Sequence, residues 1–253
     1  MELMVTDVGD AEVMQLVRAS PAAVAAQDKQ GWLALWARDY VLEDPVGSRP
    51  VRGRMLSRFW DAFIAGNDIR FEVYADFRAG DRVLRDVTIH TTLATGVQAA
   101  TPAHLVYELV REDGQLRIGR MGAHWQVWPV YVQLLRPTRA HVRALTMMTD
   151  RMLRQLGPGG ALAFAGALHS VGEPGKESVR RLVRAAGCGD AGALRTLGGL
   201  VPTNLTKLIA SGRAVTASCQ VDGRPAALVA EIVGRTGEVA RVDVFTEPER
   251  GAS

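Results

Sequence analysis

The segment LVYELVREDGQL (105–116) recurs 123 residues later as LVAEIVGRTGEV (228–239), with the turn glycines Gly114 and Gly237 in register. Internal self-similarity at a fixed offset constrains an architecture more than composition does, because each copy must build the same supersecondary unit. Earlier landmarks repeat as well. GWLALWA (31–37) aligns with GALAFAG (160–166), and Asp44-Pro45 then falls without a gap on Glu173-Pro174. Between these landmarks and the hairpin the second copy is six residues shorter. The chain reads as a tandem repeat with a reduced second copy. The first domain spans 1–134 and the second 140–253, with a linker at Leu135–Ala140 around Pro137. A length of 253 residues suits two domains of ordinary size.

Within the first copy, Val13, Met14, Leu16 and Val17 give residues 2–19 a helical pattern, and Ser20-Pro21 reads as the cap of a second helix. That helix runs to Ala37 with a break near Gly31. Gly53–Ala65 predicts another, with Met55, Phe59, Trp60, Phe63 and Ile64 on one side. Strands follow at Ile69–Phe77, Arg82–Leu93, Ala103–Arg111 and Gln115–Trp128, the last two joined by the hairpin dipeptide Asp113-Gly114. Helices closing one face of a long antiparallel sheet make an α+β cone. In the second copy GPGG (157–160) interrupts the first helix. It lacks the strand and the Lys-Ser/Thr of a phosphate loop. Three strands remain there: Leu208–Gln220, Ala226–Val233 and Glu238–Thr246.

Composition narrows the partners. The net charge of +3 is carried by arginines scattered among acids, with no basic run or aromatic ladder, so no nucleic acid is expected. No apolar run reaches a membrane span. The N-terminal residues do not have the pattern of a signal peptide, and Cys188 and Cys219 suggest no disulfide framework, which together point to the cytoplasm. No two histidines and a carboxylate share a metal-like spacing, so neither metal nor cofactor is expected.

Chemistry is suggested by Asp44. It closes the β-like run Tyr40–Glu43 and precedes Pro45, which restrains it to an extended or turn backbone. An acid at the edge of apolar surface can be a base of raised pKa; the alternative is a solvated turn residue. The run W-A-x-D-Y-V-L-E-D-P-V-G (36–47), then P-V-x-G-R (50–54), and the strand end M-G-A-H-W (121–125) resemble the ketosteroid-isomerase-like branch of the NTF2-like (SnoaL-like) superfamily, over roughly Ser20–Trp128. The resemblance implies two cone-shaped domains in tandem and places Asp44 at the position of the general base. It also implies a hydrophobic polycyclic or polyketide-like substrate, processed without cofactor by double-bond isomerisation, cyclisation or epoxide opening. The family's tyrosine donor falls near Ser20, and its acid donor on Val106 or, with slippage, beside His104. Loss of one such donor costs roughly 100- to 1000-fold in rate. Glu72 is the nearest second acid for an epoxide-opening pair.

Strand parity sorts the remaining candidates. Symmetric pairing about Asp113-Gly114 sets His104 opposite Ala123 and Val106 opposite Met121. His104, Val106, Met121 and Trp125 then share a face. By the resemblance this is the concave one, lining a pocket with Tyr40, Trp60, Phe63, Val87 and Ile89. His104 is the second catalytic candidate; its other reading is a hydrogen-bonded core histidine. Leu105, Tyr107 and Leu109, with Leu228 and Ile232, would form apolar convex faces packed back to back as an intramolecular pseudo-dimer, with a homodimer as a further option. Glu173 reads as an exposed, inactive turn residue. The rival to an enzyme is a non-catalytic small-molecule-binding or dimerisation module.

Overall fold

In the computed structural model, which describes residues 9–135, 137–234 and 237–247, the chain opens with helix α1 (Asp10–Ala25). Residues 2–8 of the expected lead-in helix lie outside the described set. The expected break at Ser20-Pro21 is absent, because Pro21 sits within α1. A proline there removes the amide partner of the Val17 carbonyl. Arg85 Nη1 donates to that carbonyl instead, at 3.4 Å. Helix α2 (Lys29–Ala34) is capped by Asp28, whose carboxylate accepts from the Gly31 amide at 2.9 Å. It ends before the predicted Ala37, because β1 (Trp36–Glu43) already begins at Trp36, paired parallel with the sheet.

Helix α3 (Met55–Phe59) continues into a π-helical turn, Trp60–Ile64. Then β2 (Asp68–Ala79), β3 (Arg82–Thr92), β4 (Gln98–Glu112) and β5 (Gln115–His124) form an antiparallel meander, with β1 added at its outer edge. The last strand stops at His124, short of the predicted Trp128, where α4 (Val127–Leu134) takes over.

The second unit starts with the long helix α5 (Arg139–Ala165), kinked at Gly157 (φ 71°) where GPGG interrupts it. The repeat segment 160–166 falls on its last turns, and most of its side chains lie outside the described set. Glu173 stands in the first turn of α6 (Gly172–Gly187) rather than in a loop, exposed and bonded to Arg180 at 2.6 Å. After α7 (Ala191–Thr196) come β6 (Thr203–Ser211), β7 (Ala214–Val221), β8 (Arg224–Val233) and β9 (Glu238–Thr246). The predicted strand 208–220 is thus two strands, divided by a turn at Gly212 (φ 53°).

The meander β6–β9 repeats the order of β2–β5. A register shift falls between Glu231 and Ile232 in β8, as one falls between Glu108 and Leu109 in β4. These two places correspond in the 123-residue offset. Among the described residues, no strand of the second unit takes the place of β1. The edge of β9 instead meets β2, where Thr246 pairs with Arg78, so the described strands run β1-β5-β4-β3-β2-β9-β8-β7-β6.

At that join the sheet folds over, bringing one unit's sheet face onto the other's. Phe77, Leu84 and Val106 pack against Ala227 and Phe245 across the seam. Leu105, Tyr107 and Leu109, expected in this seam, are buried instead in the first unit's own core with Trp32, Phe59 and Val17. Leu228 and Ile232 likewise pack beneath Val179 and Val183 of α6.

The reversal has a local cause. Around the turn the pairing is symmetric, with Leu109 opposite Ile118, but Gly119 is then an extra residue and Glu108 faces Arg120. A bulge of one residue moves every later side chain to the other face. Met121 therefore pairs with Tyr107, and His104 with His124. A Cβ on Gly119 would stand 2.8 Å from Val110 Cγ1, so any larger residue at the bulge must displace the Val110 side chain.

Candidate active site

A cavity of about 240 Å³ lies between the concave face of the first sheet and its helices. Leu42, Ile69, Phe71, Ile89, Leu105 and Met121 form its floor and sides, and α5 lies across it as a roof. Among the described lining residues Asp44 and Arg151 are the charged ones.

Asp44 reaches the cavity because β1 ends there and the chain turns at once into Pro45, through a cis bond. The Val46 amide donates to the Ala123 carbonyl at 2.9 Å and pins this turn to the end of β5. Trp125, one residue past β5, donates its indole N–H to Asp44 Oδ1 at 2.6 Å. Burial pushes the Asp44 carboxyl up to about 6, and the indole bond opposes the rise only in part. The result is a partly buried carboxylate on the cavity wall, held by one donor among the described residues, which leaves its Oδ2 for chemistry.

Tyr107 is the polar residue that parity reasoning misplaced. It lines the cavity from the middle of β4. Burial raises the pKa of its phenol, which keeps it a protonated donor, while the Arg85 guanidinium and Ser20 hydroxyl pull the other way. Arg85 is itself buried, paired with Asp76 at 2.7 and 3.0 Å. Ser20, at the position where the resemblance led one to look for a tyrosine, accepts from Trp32 Nε1 at 3.2 Å. A tyrosine from the sheet thus stands near the helix position that lacks one. Gly119 was the sequence signal for this, since a lone glycine inside a strand pattern marks a bulge.

The other candidates divide. Phe63, Ile89, Met121 and Trp125 line the cavity. Trp60 and Val87 are buried in the core behind the wall, Trp60 with its ring centroid 5.3 Å from that of Trp32. Tyr40 also stands behind it. Its hydroxyl donates to the Gly53 carbonyl at 2.5 Å and accepts from the Leu56 amide at 3.1 Å, which fixes the start of α3.

His104 and Val106 face away from the cavity, into the seam. His104 is fully buried, with Nδ1 2.7 Å from Thr216 Oγ1 and Nε2 3.0 Å from Ser218 Oγ. Ser218 donates to Asp86 at 2.5 Å, and Lys207 also binds Asp86. Burial lowers the pKa of His104 against the pull of Asp86, so the ring is a neutral structural group. It is not a catalytic partner of Asp44. Glu72 points outward to His90 at 3.0 Å and is likewise absent from the cavity.

Residues 17–118, from the middle of α1 into β5, match the SnoaL-like domain family. The first unit is a SnoaL-like domain. Among solved structures the chain is similar to a Δ5-3-ketosteroid isomerase from Mycobacterium sp., at 29% identity and a TM-score of 0.41, covering 45% of this chain and 92% of that one. It is similar to RV0760c of Mycobacterium tuberculosis, solved with estradiol-17β-hemisuccinate, at 25% identity, 46% and 95% coverage and a TM-score of 0.41. A third likeness is to an epoxide hydrolase from M. tuberculosis, at 19% identity, 55% and 96% coverage and a TM-score of 0.42. No curated protein matches the chain. Among the described residues, no helix is long and apolar enough to cross a membrane.

Proposed function

We propose that the SnoaL-like unit is an enzyme that moves a proton on a hydrophobic polycyclic or polyketide-like molecule, with Asp44 as general base. The observation that carries this reading is the Asp44 carboxylate at the wall of an apolar cavity, oriented by Trp125 and with its pKa raised to about 6. A base of that pKa is ionised at neutral pH, yet returns a proton more readily than an ordinary carboxylate. Abstraction of a C–H proton beside a carbonyl builds negative charge on the carbonyl oxygen. Tyr107, a neutral phenol on the same cavity, is the donor placed to meet it. Asp44 then returns the proton to a different carbon, completing an isomerisation, or the enolate attacks within the molecule, completing a cyclisation.

Epoxide opening by two acids is less well supplied, because Asp44 is the one carboxylate among the described lining residues. The second unit fits the role of a built-in partner subunit, covering the convex face through the seam and giving an intramolecular pseudo-dimer. Asp44→Asn keeps the shape and removes the base. Turnover of an enone or β-keto substrate is expected to drop about 100- to 10,000-fold, with affinity retained. Undiminished turnover in Asp44→Asn leaves the non-catalytic binding module as the reading.

A further inference from the structure

The cavity carries one charge that proton transfer at Asp44 does not use. Its roof is a stripe of α5 made by Ala144, Met147, Met148, Arg151 and Met152, at the spacing that shares a helix face. The methionines suit a mobile apolar surface that adapts to a ligand's shape. Arg151 interrupts them.

Arg151 is half-buried and forms no ion pair or hydrogen bond among the described residues, whereas its neighbour Arg154 is tied to Asp150 at 2.8 Å. Its Nη2 lies 3.2 Å from where a Cβ on Gly66 would stand, so the guanidinium rests just before β2 begins. The turn between β3 and β4 lies at the same end of the sheet, because Asp68 pairs with Thr92 and Thr92 with Gln98. In that turn Thr95 lines the cavity with a buried hydroxyl that has no hydrogen-bond partner among the described residues. Such orphaned groups are uncommon and ask for a reason. Two donors without acceptors therefore share one end of the cavity.

Asp44 stands at the other end. It follows Glu43, which pairs with Gly122, and so lies level with Ala123 and its partner Leu105. The run of β4 from Gln98 to Leu105 is roughly 20–25 Å long at ~3.3 Å per residue. The reach of the two side chains shortens that gap to the length of a few fused rings.

We propose that Arg151, assisted by Thr95, receives a carboxylate at the far end of the substrate, so that the cavity selects an amphipathic acid whose reacting carbonyl meets Asp44 and Tyr107. The planar guanidinium matches a carboxylate through two parallel bonds. One cation balances one negative charge; a phosphate dianion would leave charge unpaired, since no second cation lines the cavity among the described residues. The inference rests on this cavity being the substrate site, as proposed above.

The test compares lithocholate, a fused-ring acid, with its methyl ester, by calorimetric titration of the full chain. Lithocholate is expected to bind about 10- to 100-fold more tightly than the ester, the range of a hydrogen-bonded charge. Arg151→Gln should remove that preference and leave ester affinity unchanged, and Thr95→Val should reduce it by a smaller factor. Equal binding of acid and ester to the parent chain overturns the proposal, as does a preference that survives in Arg151→Gln. Binding of neither compound overturns the substrate cavity and this inference together. A full-rate Asp44→Asn enzyme that keeps the acid preference would instead end the catalytic reading alone.

Discussion

At the scale of the residue, the proposed base Asp44 sets reactivity against stability. Its folded-state pKa is raised from 3.8 to about 6, so the native state holds a proton that the unfolded chain releases between those values. The folded state is therefore favoured at low pH and loses up to about 3 kcal/mol as pH rises through 6, at about 1.36 kcal/mol per unit. Asp44→Asn should recover that amount at pH 8 and nothing below pH 4, read as urea midpoints at the two pH values. Under the proposed function, activity is expected to run the other way, rising with pH through about 6 and levelling off once Asp44 is ionised. Tyr107→Phe tests the donor separately. It should lower kcat about 100- to 1000-fold while the fold and the pH limb at 6 persist; a kcat within a few-fold of the parent would remove Tyr107 from the mechanism. Asp44 was legible because Tyr40–Glu43 and Pro45 constrain the backbone on both sides of it. Tyr107 was hidden because its face depends on one glycine, Gly119, twelve residues along the chain.

Elements were easier to read than their faces. The strands of the first meander lie where alternation and the Asp113-Gly114 turn put them, give or take a few residues. Alternation alone, however, does not say which face is concave when both are covered, and β4 is buried on both sides. His104 shows the consequence. From the sequence it is a catalytic candidate or a core histidine, and the Gly119 bulge decides for the core. The seam it enters is polar at its centre, where His104, Asp86, Ser218, Thr216 and Lys207 bond across β3, β4, β6 and β7. His124 adds a bond to Ser211 of β6 at 2.9 Å.

Burial, aided by the nearby His104 and Arg120, lowers the pKa of His124 to about 3. A histidine of depressed pKa binds fewer protons folded than unfolded, so its contribution is present above pH 6.5 and is lost as pH falls toward 3. Loss of about 2–3 kcal/mol by pH 4.5 follows from the two units of pH crossed. Asp86 acts lower still. Burial would raise its carboxyl, but His104, Lys207 and Ser218 outweigh that and hold it at about 2, so its share is lost only below about pH 4. His124→Asn should flatten the drop in urea midpoint between pH 7.5 and 4.5. A drop equal to the parent's would show that the acid response arises elsewhere.

On the scale of the whole molecule, the second unit touches the loop that carries Asp44. Gly47, three residues after Asp44, meets Gly212 in the turn between β6 and β7 so closely that a Cβ on Gly212 would stand 2.7 Å from Gly47 Cα. The same turn is held from behind by the Val171 amide, which donates to the Gly212 carbonyl at 2.9 Å. Nothing in the repeated sequence foretells this contact, because it joins loops of different copies. Gly212→Ala must therefore push the two loops apart and shift the turn that orients Asp44. A displacement of about 1 Å in a reacting group can cost on the order of 100-fold in rate, so kcat is expected to fall 10- to 100-fold although no cavity residue has changed. Strain is a competing explanation, since Gly212 has φ 53° and any side chain there costs about 1–2 kcal/mol. Gly114→Ala separates the two. Gly114 has φ 77° and would carry a similar penalty, yet nothing lies within 4 Å of its added Cβ. Both variants should lose stability in urea melts, Gly212→Ala by at least as much as Gly114→Ala, and only Gly212→Ala should lose kcat. Equal activity in the two would mean that the second unit supports the fold of the first without steering Asp44.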